Sequence, residues 1–130
     1  MAWAVLCPAS ERKMPLFKKD APATADGFID VASADSVHEG RMMTVVIQKR
    51  KIILTRHENH LFAIDTICPH AAADLSQGSL RSWQICCHEH DYCFDIRTGR
   101  IVWPEDEVYR LRRYQVKEEG GRAWVRLVAI

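Results

Sequence analysis

Cys68-Pro69-His70-Ala71-Ala72-Ala73-Asp74-Leu75-Ser76-Gln77-Gly78-Ser79-Leu80, followed by Cys87-His88-Glu89-His90-Asp91-Tyr92-Cys93-Phe94-Asp95-Ile96-Arg97-Thr98-Gly99, is the stretch that decides how this chain is read. Residues 67–91 contain three cysteines, three histidines and few apolar positions. Such a segment has too little apolar surface to order itself as a buried strand pair, so a metal is the natural organiser. Cys68 and His70 are two apart, and Cys87 and His90 three apart. Either spacing lets one tight loop aim both side chains at a common centre, and Pro69 fixes φ between the first two. Two thiolates and two imidazoles bind zinc or an iron–sulfur cluster strongly.

On either side, the chain reads as short strands separated by turns. Phe28–Val31, Thr44–Gln48, Ile52–Arg56, Leu61–Thr66, Trp83–Cys86, Tyr92–Ile96, Ile101–Trp103, Tyr109–Val116 and Ala123–Val128 are rich in β-branched and aromatic residues. Lys49-Arg50-Lys51, His57-Glu58-Asn59, Thr98-Gly99 and Gly120-Gly121 mark the turns between them. A strand about every ten residues predicts an antiparallel all-β sandwich or barrel. The one helical hint is Ser33–Glu39. Residues 1–26, with Pro8, Pro15, Pro22 and a run of small residues, predict a flexible arm ahead of a single domain over 27–130.

The 130 residues suit one domain, and 48% hydrophobic with 27% charged residues is an ordinary globular composition. A net charge of +1 gives no basic face for nucleic acid. No stretch reaches the roughly 18 apolar residues needed to span a bilayer, and the short apolar start lacks the basic residues of a secretory signal. The expectation is a cytoplasmic protein with no membrane partner. In that compartment five cysteines predict metal ligands or thiols rather than a disulfide framework, so Cys86 and Cys93 are expected to be small apolar residues or thiols. His38, His57 and His60 are expected at the surface of hairpins. Trp83, Trp103 and Trp124 are expected in core or rim packing, and Glu105-Asp106-Glu107 in a solvated loop.

The two quoted segments resemble the cluster loops of the Rieske ferredoxin family. Leu75, Gly78 and Leu80 fall where that family has a leucine, a glycine and an apolar residue. Phe94-Asp95 follows the second histidine by four residues, and Thr98-Gly99 closes the next turn. The resemblance spans about residues 27–130. It implies an all-β, antiparallel Rieske iron–sulfur fold with a small cluster-binding subdomain of two loops, holding one [2Fe–2S] cluster per chain. Cys86 with His88 also forms a Cys-x-His pair. The step from Cys68 and the step to Phe94-Asp95 both favour Cys87 with His90. Carried over, Cys68 and Cys87 bind the inner iron, and His70 and His90 the outer iron near solvent.

Four departures from the family pattern bear on function. Ala72 and Asp91 stand where the family often has glycine; Asp tolerates positive φ better than most residues. Glu89 and Asp91 put carboxylates beside His90, and Phe94 replaces a tyrosine hydroxyl that donates to the cluster in high-potential relatives. No cysteine among Ala71–Ala73 is available for the disulfide that ties the two loops together in those relatives. Both added negative charge and fewer hydrogen bonds predict a potential toward the low end of roughly −150 to +300 mV.

The resemblance implies a carrier of single electrons between a flavoprotein reductase and a terminal oxygenase, not an enzyme itself. The small subunit of an assimilatory nitrite reductase, bound to its large subunit, is the alternative. A zinc-stabilised interaction module is a third reading. The length leaves no room for an oxygenase catalytic domain with its own mononuclear iron.

Overall fold

The computed structural model describes residues 18–19, 26–70, 72–89 and 91–130. Eleven strands are present among them. They are β1 (Lys18–Lys19), β2 (Phe28–Ser33), β3 (Met42–Ile47), β4 (Arg50–His57), β5 (His60–Asp65), β6 (Ser79–Arg81), β7 (Gln84–Cys86), β8 (Cys93–Asp95), β9 (Ile101–Trp103), β10 (Arg113–Glu119) and β11 (Arg122–Ala129). A seven-stranded sheet runs in the order β1-β3-β4-β5-β10-β11-β2, and a four-stranded sheet in the order β6-β7-β8-β9. Pairing is antiparallel throughout except between β1 and β3. The smaller sheet is therefore an insertion between β5 and β10. No helix among the described residues is long and apolar enough to cross a membrane.

Two apolar cores follow from the pleat. Ile52 and Leu54 of β4, with Ala63 of β5, join Ile29, Val31, Val45, Ile47, Tyr114 and Val125 in one core. Ile53 and Ile64 project from the opposite face into a second core with Leu75, Ile85, Phe94, Ile96, Leu111, Cys68 and Cys87. Successive strand residues point to opposite faces, so the unbroken run Ile52-Ile53-Leu54 is a strand buried on both sides. The middle of the large sheet is thereby the floor on which the small sheet sits.

The turns refine the sequence reading. β3 and β4 join through Gln48-Lys49 (φ 50° and 68°), and β4 and β5 through Glu58-Asn59 (φ 49° and 67°). Both are two-residue hairpins whose paired positive φ values match the twist of the flanking strands. Arg50 and Lys51 thus belong to β4 and not to the turn. Residues 109–112 are not strand. They lie against the small sheet through single bonds, Leu111 N–H to the Gly99 carbonyl at 2.8 Å and an Arg100–Arg110 bridge, and β10 begins at Arg113. Ser33–Glu39 contributes only a 3₁₀ turn, Ala34–Ser36. β1 and β6 carried no strand signal in the sequence. Most of residues 1–26, and the arm predicted there, lie outside the described residues.

Candidate metal centre

Of the sequence-predicted residues, Cys68, His70 and Cys87 are described, and they sit on two loops with the same backbone plan. In the first, Cys68 N–H donates to the Ala73 carbonyl and Ala72 N–H donates to the Cys68 carbonyl, both at 2.8 Å. In the second, Cys87 N–H donates to the Tyr92 carbonyl at 2.8 Å and Asp91 N–H to the Cys87 carbonyl at 3.1 Å. Each loop turns on a left-handed residue at the fifth position, Ala72 at φ 58° and Asp91 at φ 57°. The turn survives without glycine at either place, as expected for Asp91. For Ala72 the conformation carries a penalty of about 1 kcal/mol. Cys68 and Cys87 are 1% and 0% exposed and belong to the same buried cluster, whereas His70 is half-buried. His90 lies outside the described residues.

Gly78 joins the loops. A Cβ there would fall 1.9 Å from the Cys86 carbonyl oxygen, so only glycine lets the end of the first loop's 3₁₀ turn, Leu75–Gln77, press against the strand that leads into Cys87. Asp74 caps that turn. Its carboxylate accepts from Ser76 N–H at 2.9 Å, from Ser76 Oγ at 2.6 Å and from Lys51 Nζ at 3.1 Å. Burial pushes the Asp74 carboxyl up, but these three donors outweigh it and hold the pKa below its usual value.

The expectation for two cysteines is corrected. Cys86 and Cys93 are not separate thiols; they form a disulfide. The register of β7 with β8 makes them direct partners, with Cα atoms 4.0 Å apart. The adjoining Cys87–Tyr92 pair is hydrogen-bonded, so Cys86–Cys93 is a non-hydrogen-bonded pair, where side chains approach most closely. The signal was in the numbering: if Cys87 and Tyr92 close a loop, Cys86 and Cys93 must face each other.

The donor set suits a two-iron cluster. Two buried thiol residues come from matching loops, and an imidazole two residues beyond Cys68 lies nearer solvent. No three His, Cys, Asp or Glu side chains converge on one point among the described residues, and a cluster with one pair of ligands at each iron does not ask for that. The family model of the Rieske [2Fe–2S] domain matches residues 27–115.

The chain belongs to the Rieske domain family.

Several of the relatives it resembles are named ferredoxin components of oxygenase systems. The p-cumate 2,3-dioxygenase ferredoxin of Pseudomonas putida is 34% identical over 99 residues, covering 75% of this chain and 83% of its own. The naphthalene 1,2-dioxygenase ferredoxin of Pseudomonas aeruginosa is 31% identical, covering 77% and 95%. Among solved structures, the ferredoxin of carbazole 1,9a-dioxygenase from Nocardioides aromaticivorans superposes with a TM-score of 0.70 at 27% identity, covering 76% of this chain and 96% of that one.

Around the Rieske loops the structure adds an aromatic cover that the sequence did not announce. The Tyr92 ring stacks on the His70 ring, 3.7 Å between centroids and 10° from parallel. Tyr109 meets His70 edge-on at 5.6 Å. Tyr92 belongs to the second loop and His70 to the first, so this stack bridges them. Burial, then Glu107, Tyr109 and Asp106, push the Tyr92 hydroxyl above its usual pKa. The acidic run lies in a solvated loop, as expected, and its Asp106 and Glu107 come within electrostatic reach of Tyr92. Beside it, Val108 is 89% exposed and Trp103 56%; Trp103 is therefore not packed in core or rim. Glu89 and Asp91 are also exposed on this end.

Other histidines and tryptophans do structural work. His57 is partly buried rather than a surface residue. It lies edge-on to Trp83 at 4.2 Å, with Nδ1 3.4 Å from Glu39. Arg97 covers the Trp83 ring at 4.4 Å while its guanidinium bonds Asp95. This stack fastens the small sheet to the β4–β5 hairpin.

Proposed function

We propose that this Rieske domain is an electron carrier, taking single electrons from a flavoprotein reductase and passing them to a terminal oxygenase, with no bond-making chemistry of its own. The observation that supports it most is the matched pair of loops with buried Cys68 and Cys87. In this reading Cys68 and Cys87 hold the inner iron and His70 and His90 the outer one, with one cluster per chain, in the cytoplasm. When bound, the cluster supplies a one-electron ferric–ferrous couple.

The chain's own residues set the conditions for that couple. The two backbone-locked loops fix the sulfurs in a buried, low-dielectric pocket, so little reorganisation accompanies a change of charge. Tyr92 covers one face of the His70 ring, and Tyr109 meets His70 edge-on. Glu89, Asp91, Asp106 and Glu107 place negative charge at the same end, which disfavours the reduced state and lowers the potential. The system names of the ferredoxin relatives support an oxygenase as acceptor.

The test is the visible and low-temperature EPR spectrum of protein purified without oxygen, before and after dithionite. The expected result is a brown protein whose reduced signal has the lowered average g value of two-histidine ligation. Colourless protein that holds zinc stoichiometrically, and keeps it through iron–sulfur reconstitution, would overturn the reading.

A further inference from the structure

The second loop offers more ligands than a cluster needs. Cys86 directly precedes Cys87, and Cys86 with His88 repeats the Cys-x-His spacing of Cys68 with His70. The first loop has no such ambiguity, because Ile67 precedes Cys68. In the structure the residues just outside each loop are paired: Ile67 with Asp74 through a backbone bridge, Cys86 with Cys93 through sulfur. The two pairs occupy equivalent positions, one residue before the loop cysteine and one after the carbonyl that closes the loop.

Iron binds a thiolate, and a sulfur already bonded to sulfur has no anionic lone pair to offer. We propose that the Cys86–Cys93 disulfide selects the ligand of the second loop: it withholds the Cys86 sulfur from iron, leaves Cys87 as that loop's sole thiolate, and staples β7 to β8 so that the loop's two ends stay in register. Packing adds to the argument. Cys86 is 3% exposed, and its carbonyl is pressed against Gly78. Ile85 and Cys87 enter the second core while Cys86 faces the other side of the strand, so Cys86 could reach the iron only if the loop slipped by one residue, and the staple between β7 and β8 bars that slip. This inference rests on the proposed cluster ligation, and its test separates the two.

Three forms are compared after anaerobic purification with cluster bound: the native protein, Cys93→Ser and the double variant Cys86→Ser/Cys93→Ser. Alkylation of thiols followed by peptide mass mapping should find Cys86 linked to Cys93 in the native protein. Its reduced EPR spectrum should show one two-histidine signal. Cys93→Ser, which frees Cys86, should show a second EPR species and lose its cluster to a chelator about tenfold faster. The double variant has no competing thiol. It should return to one native-like signal while still losing cluster faster than the native protein, because the staple is gone.

The proposal is overturned if native holoprotein alkylates at both Cys86 and Cys93. It is equally overturned if Cys93→Ser matches the native protein in both signal and chelator half-life, or if the double variant keeps the second species. Should Cys93→Ser not fold, the native peptide map and the double variant still decide the matter. A native protein with no two-histidine signal overturns the proposed function and this inference together. A native protein with the signal and an unlinked Cys86 overturns only this one.

Discussion

The two cluster loops share a backbone plan but are closed differently. Both hold a cysteine whose N–H reaches five residues ahead and whose carbonyl receives the N–H four residues ahead. Both pass through a left-handed residue at the same place. Outside that shared unit they diverge. The first loop is sealed by an isolated backbone bridge and by Asp74, whose carboxylate gathers Ser76 and Lys51. The second is sealed by a disulfide. Hydrogen bonds and a surface ion pair are individually worth about 1 kcal/mol or less, whereas a covalent bridge opens only by chemistry. The first loop's closure therefore depends on pH and salt, and the second's on redox conditions.

The equivalence of the loops can be broken most severely at the cysteines. Cys68→Ser and Cys87→Ser should each abolish cluster binding, seen as loss of visible absorption and of iron and sulfide content. Retention of a normal cluster in either would remove that residue from the ligand set. Next in size is the joint between the loops: Gly78→Ala should destabilise the fold by about 3 kcal/mol in urea unfolding, because the added methyl meets backbone at Cys86 and not a movable side chain.

Smaller effects sharpen the contrast. Asp74→Ala should cost about 1 kcal/mol by removing a cap, and should also flatten the acid limb of stability. The sign follows from the folded pKa lying below the unfolded one. The carboxylate's contribution is complete above the usual aspartate pKa and disappears as pH falls through the depressed folded value. A pH series of denaturation midpoints on both proteins reads this, and no comparable dependence should come from the second loop's disulfide. Ala72→Gly should raise stability by about 0.5–1 kcal/mol by relieving the left-handed alanine, while Asp91→Gly should gain less because Asp accepts that conformation more readily. The smallest effect is electrostatic: Glu107→Gln should let Tyr92 ionise at lower pH in an ultraviolet titration, since one carboxylate that holds its hydroxyl up is removed.

Much of the strand content was legible because β-branched runs and positive-φ turn residues are local properties. β2 through β5, β7 through β9 and β11 all lie within a few residues of where the pattern puts them. β1 and β6 were not legible, since Lys18–Lys19 and Ser79–Arg81 carry little apolar signal and are strands only because a neighbour supplies hydrogen bonds. Residues 109–112 misled for the opposite reason: Tyr109 and Leu111 look like strand, yet their partners are the Gly99 turn and the aromatic cover.

The sequence by itself determined the candidate cysteines and histidines, their spacing and the family, because chemistry-bearing residues at short intervals on one loop need no distant partner to be recognised. Tertiary structure alone decided what lies across from them. The Cys86–Cys93 bond depends on the register of β7 with β8, and the Tyr92–His70 stack on bringing two loops together. The reach of the acidic run to Tyr92 depends on where the loop after β9 folds back. All three are contacts between segments whose mutual placement is set by the shared core beneath them, and a linear pattern does not encode that placement.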